Sequence, residues 1–210
     1  MIARPKQPTD RVVIYVHGAG EDAASTLTVT ARAATITALV DAGYAVAGSD
    51  AHGNNWGAPA SVKDYLALAR RLGAEGLTRV YVLAQSMGGL AGLKLLAAIR
   101  PVAWAGIFPV CNLRSLYGGQ YVHEIRAAYG PGLIAALTAD SPIVPVGVRG
   151  LRMIFWASPA DKVVSKVENT DRCAASARAG GARVQVVTTR GDHGDPSNYQ
   201  PARLVAFFHG

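Results

Sequence analysis

Six short apolar runs recur along the 210-residue chain, separated by stretches that favour helix. They are rich in β-branched and aromatic residues and cover positions 11–17, 44–50, 79–85, 104–110, 151–158 and 183–189. Runs without a polar alternation are typical of parallel strands that are covered on both faces. The pattern therefore predicts an α/β fold: a doubly wound, mostly parallel sheet of about six strands with helices on both faces.

The segments between these runs carry helix signals, at residues 28–42, 61–72, 87–99 and 199–209 and in the interval before the last strand. Gly43 follows the first of them, where helices often end. A serine followed three residues later by an acid occurs at Ser61 with Asp64 and at Ser165 with Glu168. Each pair predicts a capping box that opens a helix.

One segment breaks the alternation of strand and helix. Residues 112–150 lie between the fourth and fifth predicted strands and mix Gly, Pro and Tyr with short helical pieces. Their position predicts a cap or lid insertion over the strand ends. The chain is long enough for one substantial core and short for two, so a single domain spanning residues 1–210 is expected.

Charge and hydropathy indicate which classes of partner the protein has and whether it crosses a membrane. The net charge is +7, but Arg and Lys are spread along the chain and form no block, so no nucleic-acid partner is expected, and weak attraction to nucleic acid or anionic envelopes stays open. No apolar run approaches the ~18 residues of a membrane span. The first ten residues lack the apolar core of a signal peptide, which predicts a cytoplasmic protein and leaves a secreted role open.

Metal and cofactor signals are weak. Cys111 and Cys173 are distant in sequence and form no CxxC pair, so two buried free thiols are expected. His52 has no second ligand at a zinc-type spacing. The glycine-rich stretch at 17–22, HGAGED, matches neither a Walker loop nor a dinucleotide fingerprint. We therefore expect no metal and no cofactor.

The junction VLAQSMGGLAG, residues 82–92, places Ser86 between an apolar strand and an apolar helix. A turn that carries a strand directly into a helix crowds the positions two before and two after its apex. Here these positions hold Ala84 and Gly88, and Gly89 follows. The apex residue is then strained, and its side chain projects out of the core. The alternative is a helix N-cap serine beside packing glycines.

This junction resembles the nucleophile elbow of the α/β-hydrolase family, small-x-Ser-x-Gly, with Ala84 where glycine is usual. The resemblance extends from about Val12 to Phe208, although the specific motifs are short. The two antiparallel strands that usually begin the family fold are expected to be absent, which indicates a minimal core. The resemblance implies Ser86 as nucleophile, followed along the chain by an acid and then a histidine.

A serine nucleophile needs a base, and that base needs an acid to orient it. His193, in RGDHGD after the sixth predicted strand, has the position that the family gives to its base. The other histidines are less well placed: His17, His52, His123 and His209. Asp161, in ASPADKVV after the fifth strand, has the position of the acid. The alternative acids are Asp140, Asp192 and Asp195.

The reaction also needs donors for the oxyanion that forms when serine attacks a carbonyl. The family takes one from the backbone N–H after the nucleophile, which is Met87 here. The HGAG stretch at 17–20 fits the family's His-Gly motif after the first strand, which implies the Ala19 N–H as the second donor.

Together these features predict a serine hydrolase that cleaves a carboxylic ester through an acyl-serine intermediate. The substrate is expected to be a small-molecule or lipid-like ester, contacted by aromatic side chains near the strand ends: Trp56, Phe108, Tyr117 and Trp156. A serine peptidase or amidase on the same residues stays open, as does a non-catalytic binding module on a hydrolase fold. The sequence leaves the oligomeric state unassigned.

Overall fold

The computed structural model describes residues 1–25 and 30–210, and in these residues seven strands form one open sheet. The strands are β1 (Ile2–Ala3), β2 (Arg11–Val16), β3 (Ala45–Gly48), β4 (Arg79–Gln85), β5 (Ala103–Ile107), β6 (Arg152–Ala157) and β7 (Arg183–Thr188). Their spatial order is β1-β3-β2-β4-β5-β6-β7. All neighbours pair in parallel except β1 and β3. The predicted α/β fold with a mostly parallel sheet is confirmed.

Each of the six predicted strands overlaps one of β2 to β7, and the differences lie at the sheet edges. The sequence predicts that the two opening antiparallel strands of the family are absent, but the structure has one short antiparallel strand there, β1, in which Ile2 pairs with Ala47 and Ala3 with Val46. Two residues are too few to show a period in the sequence. The expectation that every strand is covered on both faces also fails at β7, an edge strand in which only Val187 is buried.

The helices in the described residues are α1 (Thr30–Asp41), α2 (Pro59–Ala74), α3 (Gly88–Lys94), α4 (Leu96–Ile99), α5 (Leu113–Tyr117), α6 (Val122–Tyr129), α7 (Leu133–Ala139), α8 (Arg172–Ala179) and α9 (Pro201–His209). A π-helical turn, Val167–Asp171, precedes α8. The first two positions of the helix predicted from residue 28 lie outside the described residues. The helix predicted at 87–99 is divided into α3 and α4 at Leu95, which keeps right-handed helical angles.

The two predicted capping boxes differ in outcome. Helix α2 begins at Pro59, two residues before Ser61, whose hydroxyl donates to the Ala58 carbonyl (2.8 Å) and caps nothing. Proline fixes the φ angle that a first helical position needs, so it starts the helix earlier. At the other box the Glu168 N–H does donate to the Ser165 hydroxyl (3.3 Å).

Two layers of helix cover the sheet. Helices α1 and α9 pack on one face with Val13 and Tyr15 of β2, while Val12 and Ile14 face the opposite layer, which contains α2, α3 and α8. This alternation buries both faces of the central strands. It leaves the loops at the carboxyl ends of β2, β4, β5, β6 and β7 as the region in which polar side chains can meet.

The segment 112–150 contains α5, α6 and α7 and packs on the α3 side of the sheet. It is joined to α3 by the Lys94 node, which we define as Lys94, Tyr129 and Asp140. The Lys94 ammonium contacts the Asp140 carboxylate (2.5 Å), the Gly57 carbonyl (2.7 Å) and the Tyr129 hydroxyl (3.2 Å). Tyr129 also donates to the Trp56 carbonyl (2.7 Å). A partly buried ion pair therefore ties the segment to the helix that follows Ser86.

Both cysteines are buried and free. Burial, and then the neighbouring Cys173 thiol, raise the pKa of Cys111. Within the described part of the chain, no helix combines the length and apolar character that a bilayer crossing requires.

Candidate active site

Ser86 lies at the apex of a sharp turn between β4 and α3, with a φ of +47°. This left-handed conformation is strained for a residue with a Cβ and persists only where the surroundings fix it. Here the Ser86 N–H donates to the Ile107 carbonyl (3.0 Å), and the Ser86 carbonyl accepts from Val110 (2.8 Å) and Gly89 (2.9 Å). Strand β5 and the chain after it therefore hold the turn from both sides.

Small residues allow α3 to approach the sheet backbone. A Cβ added at Gly88 would lie 2.2 Å from the Val16 carbonyl oxygen. One added at Gly92 would lie 2.9 Å from the Ala84 Cβ, so the helix leaves room for the methyl group of Ala84. The strand and helix thus fit together although this motif has alanine at its first small position.

Three polar side chains from separate loops form a hydrogen-bonded chain. The Ser86 Oγ lies 3.0 Å from the His193 Nε2, and the His193 Nδ1 lies 2.8 Å from the Asp161 Oδ2. The second Asp161 oxygen accepts from the Val163 and Val164 amides, at 2.9 and 2.8 Å. Those two bonds fix the carboxylate, which is buried, so the imidazole is oriented from behind while its other nitrogen faces Ser86.

Asp192 links the loops that carry Asp161 and His193. Its carboxylate accepts from the Lys162 amide (3.0 Å) and from the His193 amide (2.8 Å), and these bonds hold the pKa of Asp192 below its ordinary value. Asp195 instead caps a short turn by accepting from the Ser197 amide (2.8 Å). Of the alternative acids, Asp140 lies in the Lys94 node.

Two backbone amides beside Ser86 have no partner within the described residues. The Gly18 amide donates to the Glu21 carboxylate (3.1 Å) and the Gly20 amide to the Asn54 side chain (2.6 Å), but the Ala19 amide between them donates to no acceptor there. The same holds for the Met87 amide. Both N–H groups are therefore available to a ligand.

A largely buried polar cluster lies beside these amides; we call it the Glu21 cluster and define it as Glu21, Arg32 and Gln85. The Glu21 carboxylate forms an ion pair with Arg32 and accepts from the Gln85 side chain (2.8 Å). Gln85 in turn accepts from the Tyr15 hydroxyl. Burial, and then the Glu21 carboxylate, raise the pKa of Tyr15 well above its ordinary value.

A cavity of about 180 Å³ opens at Ser86 and His193. Its described lining includes the 18–21 loop and Arg32, with aromatic rings from Phe108, Tyr121 and Tyr199. A neighbouring cavity of about 280 Å³ shares the Tyr121 wall and reaches Lys162. The segment 112–150 thus contributes a side chain to the space around Ser86.

The predicted aromatic contacts separate into one that lines the Ser86 cavity and three that the structure keeps away from it. The Phe108 ring lines the cavity and packs on His193, with ring centroids 4.5 Å apart. Trp156 is buried in the core beneath α1 and α9, because its side chain points to that face of β6. Trp56 packs against Tyr121, and the Tyr117 hydroxyl accepts from Arg126 (2.9 Å).

Sequence reasoning missed the charged and phenolic part of the lining: Glu21, Arg32, Tyr121 and Tyr199. The one available signal was Gln85, a polar side chain at the end of a buried strand. No group of three or more His, Cys, Asp or Glu residues within residues 1–25 and 30–210 could hold a metal ion.

Comparison with known proteins identifies the fold. The chain superposes on a puromycin-hydrolysing peptidase of Mycobacterium tuberculosis with a TM-score of 0.75 and 20% identity, over 98% of this chain and 35% of that one. It superposes on the esterase domain of a Rhodothermus marinus protein with a TM-score of 0.66 and 19% identity, over 98% and 89%. It superposes on an esterase of Pyrococcus furiosus with a TM-score of 0.67 and 17% identity, over 96% of this chain and 83% of that one.

These likenesses show that the protein has the α/β-hydrolase fold. The chain spans about a third of the length of the peptidase and most of the length of the two esterases. No protein-family model and no curated protein matches the sequence.

Proposed function

We propose that the protein is a serine hydrolase that cleaves carboxylic esters through an acyl intermediate on Ser86. The observation that carries this proposal is the chain of hydrogen bonds from Ser86 through His193 to Asp161, at 3.0 and 2.8 Å. It has the order in which a base activates a serine hydroxyl and an acid orients the base.

In the proposed mechanism the His193 Nε2 takes the proton from the Ser86 Oγ as this oxygen attacks the ester carbonyl carbon. Asp161 accepts from the Nδ1–H, which keeps the ring in place and stabilises the imidazolium that forms. The Ala19 and Met87 amides donate to the carbonyl oxygen as it becomes negative; one such donor commonly contributes about 3 kcal/mol. The alcohol leaves with the proton from His193, and water then repeats the steps on the acyl-enzyme.

The lining of the cavity supports a small substrate. About 180 Å³ beside Ser86, bounded by aromatic rings and by the Glu21–Arg32 pair, favours a short acyl group. We also propose that residues 112–150 form a cap within a single domain, since Tyr121 lines both cavities. The Lys94 node then holds this cap on α3.

The test is turnover of p-nitrophenyl acetate, butyrate and octanoate, with p-nitroanilides of the same acids as the amide comparison. We expect the short esters to be preferred, the anilides to be slow, and Ser86→Ala to abolish turnover. Ser176→Ala, on α8, is the matched control and should behave like the unchanged protein.

Three results would change the assignment. Faster cleavage of the anilides would favour an amidase or peptidase. Absence of turnover, together with binding of ester analogues, would favour a binding module. Full activity of Ser86→Ala would refute the mechanism.

A further inference from the structure

The Glu21 cluster connects the two chain segments that carry the free amides. The Glu21 carboxylate accepts from the Gly18 amide (3.1 Å), one residue before Ala19. It also accepts from the Gln85 side chain (2.8 Å), one residue before Ser86 and two before Met87. A single carboxylate group therefore fixes the 17–20 loop against the nucleophile turn, and with it the separation of the two N–H groups.

The other contacts of the cluster make this connection rigid. The Glu21 and Arg32 side chains are only 9% and 11% exposed, so most of each side chain is shielded from water. Gln85 is anchored independently, because its oxygen accepts from the Tyr15 hydroxyl. Space is also limited: a Cβ added at Gly18 would lie 3.0 Å from a Glu21 oxygen and 3.1 Å from the Gln85 nitrogen.

The charge of Glu21 needs compensation at this place. A buried carboxylate near the oxygen that becomes negative during attack would oppose that charge, and low-dielectric surroundings strengthen the repulsion. Arg32 pairs with Glu21 and lines the same cavity, so the pair presents no net charge to the reacting group. Without Arg32, the negative charge of Glu21 would raise the energy of the developing oxyanion, although the hydrogen bonds of Glu21 hold the amides that stabilise it.

We propose that Glu21 is a positioning residue for the oxyanion site, holding the Ala19 amide in register with the Met87 amide, and that Arg32 compensates its charge. This inference rests on the proposed function. Neither side chain takes part in the chemistry; both act through the backbone N–H groups.

The test compares Glu21→Ala with Glu21→Gln in the whole chain. The quantities measured are kcat and KM for p-nitrophenyl acetate and the inhibition constant of an aryl trifluoromethyl ketone. The ketone reports on the oxyanion site: the Ser86 Oγ bonds to its carbonyl carbon, the carbonyl electron pair moves to oxygen, and the serine proton goes to His193. We expect Glu21→Ala to lower kcat about 10- to 100-fold, part of the loss that follows removal of an oxyanion donor. KM should change less than about 3-fold, and affinity for the ketone should fall with kcat.

Glu21→Gln should recover only part of kcat, because its one amide oxygen can still accept from Gly18, while its NH2 group replaces the oxygen that accepts from Gln85 and Arg32. Glu75→Ala is the matched control: this glutamate pairs with Arg4 and Arg71 on the surface, and its loss should leave kcat unchanged. A general loss of packing would lower the unfolding midpoint, but it would not lower kcat and ketone affinity together while KM stays nearly constant.

A second comparison tests whether Arg32 compensates the charge of Glu21, and it can be made even if Glu21→Ala does not fold. Arg32→Met leaves the carboxylate uncompensated, so its kcat should be lower than that of the double variant Glu21→Gln with Arg32→Met. Equal kcat in those two variants would overturn the role of Arg32 in charge compensation. A folded Glu21→Ala with kcat within 2-fold of the unchanged protein would overturn the positioning role of Glu21. If Ser86→Ala keeps full turnover, the proposed function fails instead, and this inference fails with it.

Discussion

The Lys94 node allows a stability test with a magnitude that the structure sets. Lys94→Met removes an ammonium that contacts the Asp140 carboxylate at 2.5 Å, where the Asp140 side chain is 7% exposed and the Lys94 side chain 25%. Removing one partner of a fully buried ion pair costs about 3–5 kcal/mol, because the other charge stays buried. Lys94 is partly exposed, and the Tyr129 hydroxyl lies 3.1 Å from the Asp140 carboxylate and can turn its proton from the Trp56 carbonyl to Asp140. Both features reduce this cost, so we expect a loss of about 2–3 kcal/mol.

The assay is urea denaturation of Lys94→Met, of Asp140→Asn and of the double variant, followed by tryptophan fluorescence. The double variant should be more stable than the sum of the two single losses predicts, by about 1–2 kcal/mol, since neither charge is then left alone. Arg71→Met is the control, because its pair with Glu75 is on the surface and should be worth less than about 1 kcal/mol. A Lys94→Met loss as small as the control, or strict additivity, would refute the account of the node.

Two further predictions concern the elbow and the loop that carries the histidine. Gly92→Ala should lower the free energy of unfolding in urea by about 1–3 kcal/mol, since its Cβ would lie 2.9 Å from the Ala84 Cβ. Adding Ala84→Gly should recover part of that loss. No recovery would show that the two methyl groups do not compete for space. Asp192 has a lowered pKa in the folded protein because the Lys162 and then the His193 amides donate to it, so its stabilisation is present above the ordinary aspartate pKa and is lost as pH falls through the lowered value. The stability gap between the unchanged protein and Asp192→Ala should therefore be widest near pH 6 and should shrink progressively as the pH falls below the ordinary aspartate pKa of about 3.9. A gap that is constant with pH would contradict this.

The strands were predictable because burial on both faces leaves a strong local signal. Apolar runs located β2 to β6 within a few residues, since each of those strands lies inside the sheet. The signal is weaker at the edges. Strand β1 has two residues and depends on pairing with β3. Strand β7 is half open to solvent, and its polar residues Arg183, Gln185 and Thr188 are the exposed ones.

The proximity of Ser86, Asp161 and His193 was also predictable, because the resemblance to the α/β-hydrolase family implies the chain order of nucleophile, acid and base and the strand ends that carry them. The contacts of side chains that depend on three-dimensional packing were not. Trp156 lies at the expected strand end, but the alternation of β6 turns it to the opposite face. The Glu21–Arg32 pair joins a loop to a helix 11 positions away, and no periodicity marks such a contact.

The most direct test of the central claim is to trap the nucleophile. The protein is incubated with a fluorophosphonate, and the modified position is located by intact-mass and peptide mass spectrometry. The account predicts one adduct per chain, on the peptide that contains Ser86, with none in Ser86→Ala and much slower formation in His193→Ala. An adduct on another residue, or equal labelling of Ser86→Ala, would contradict it.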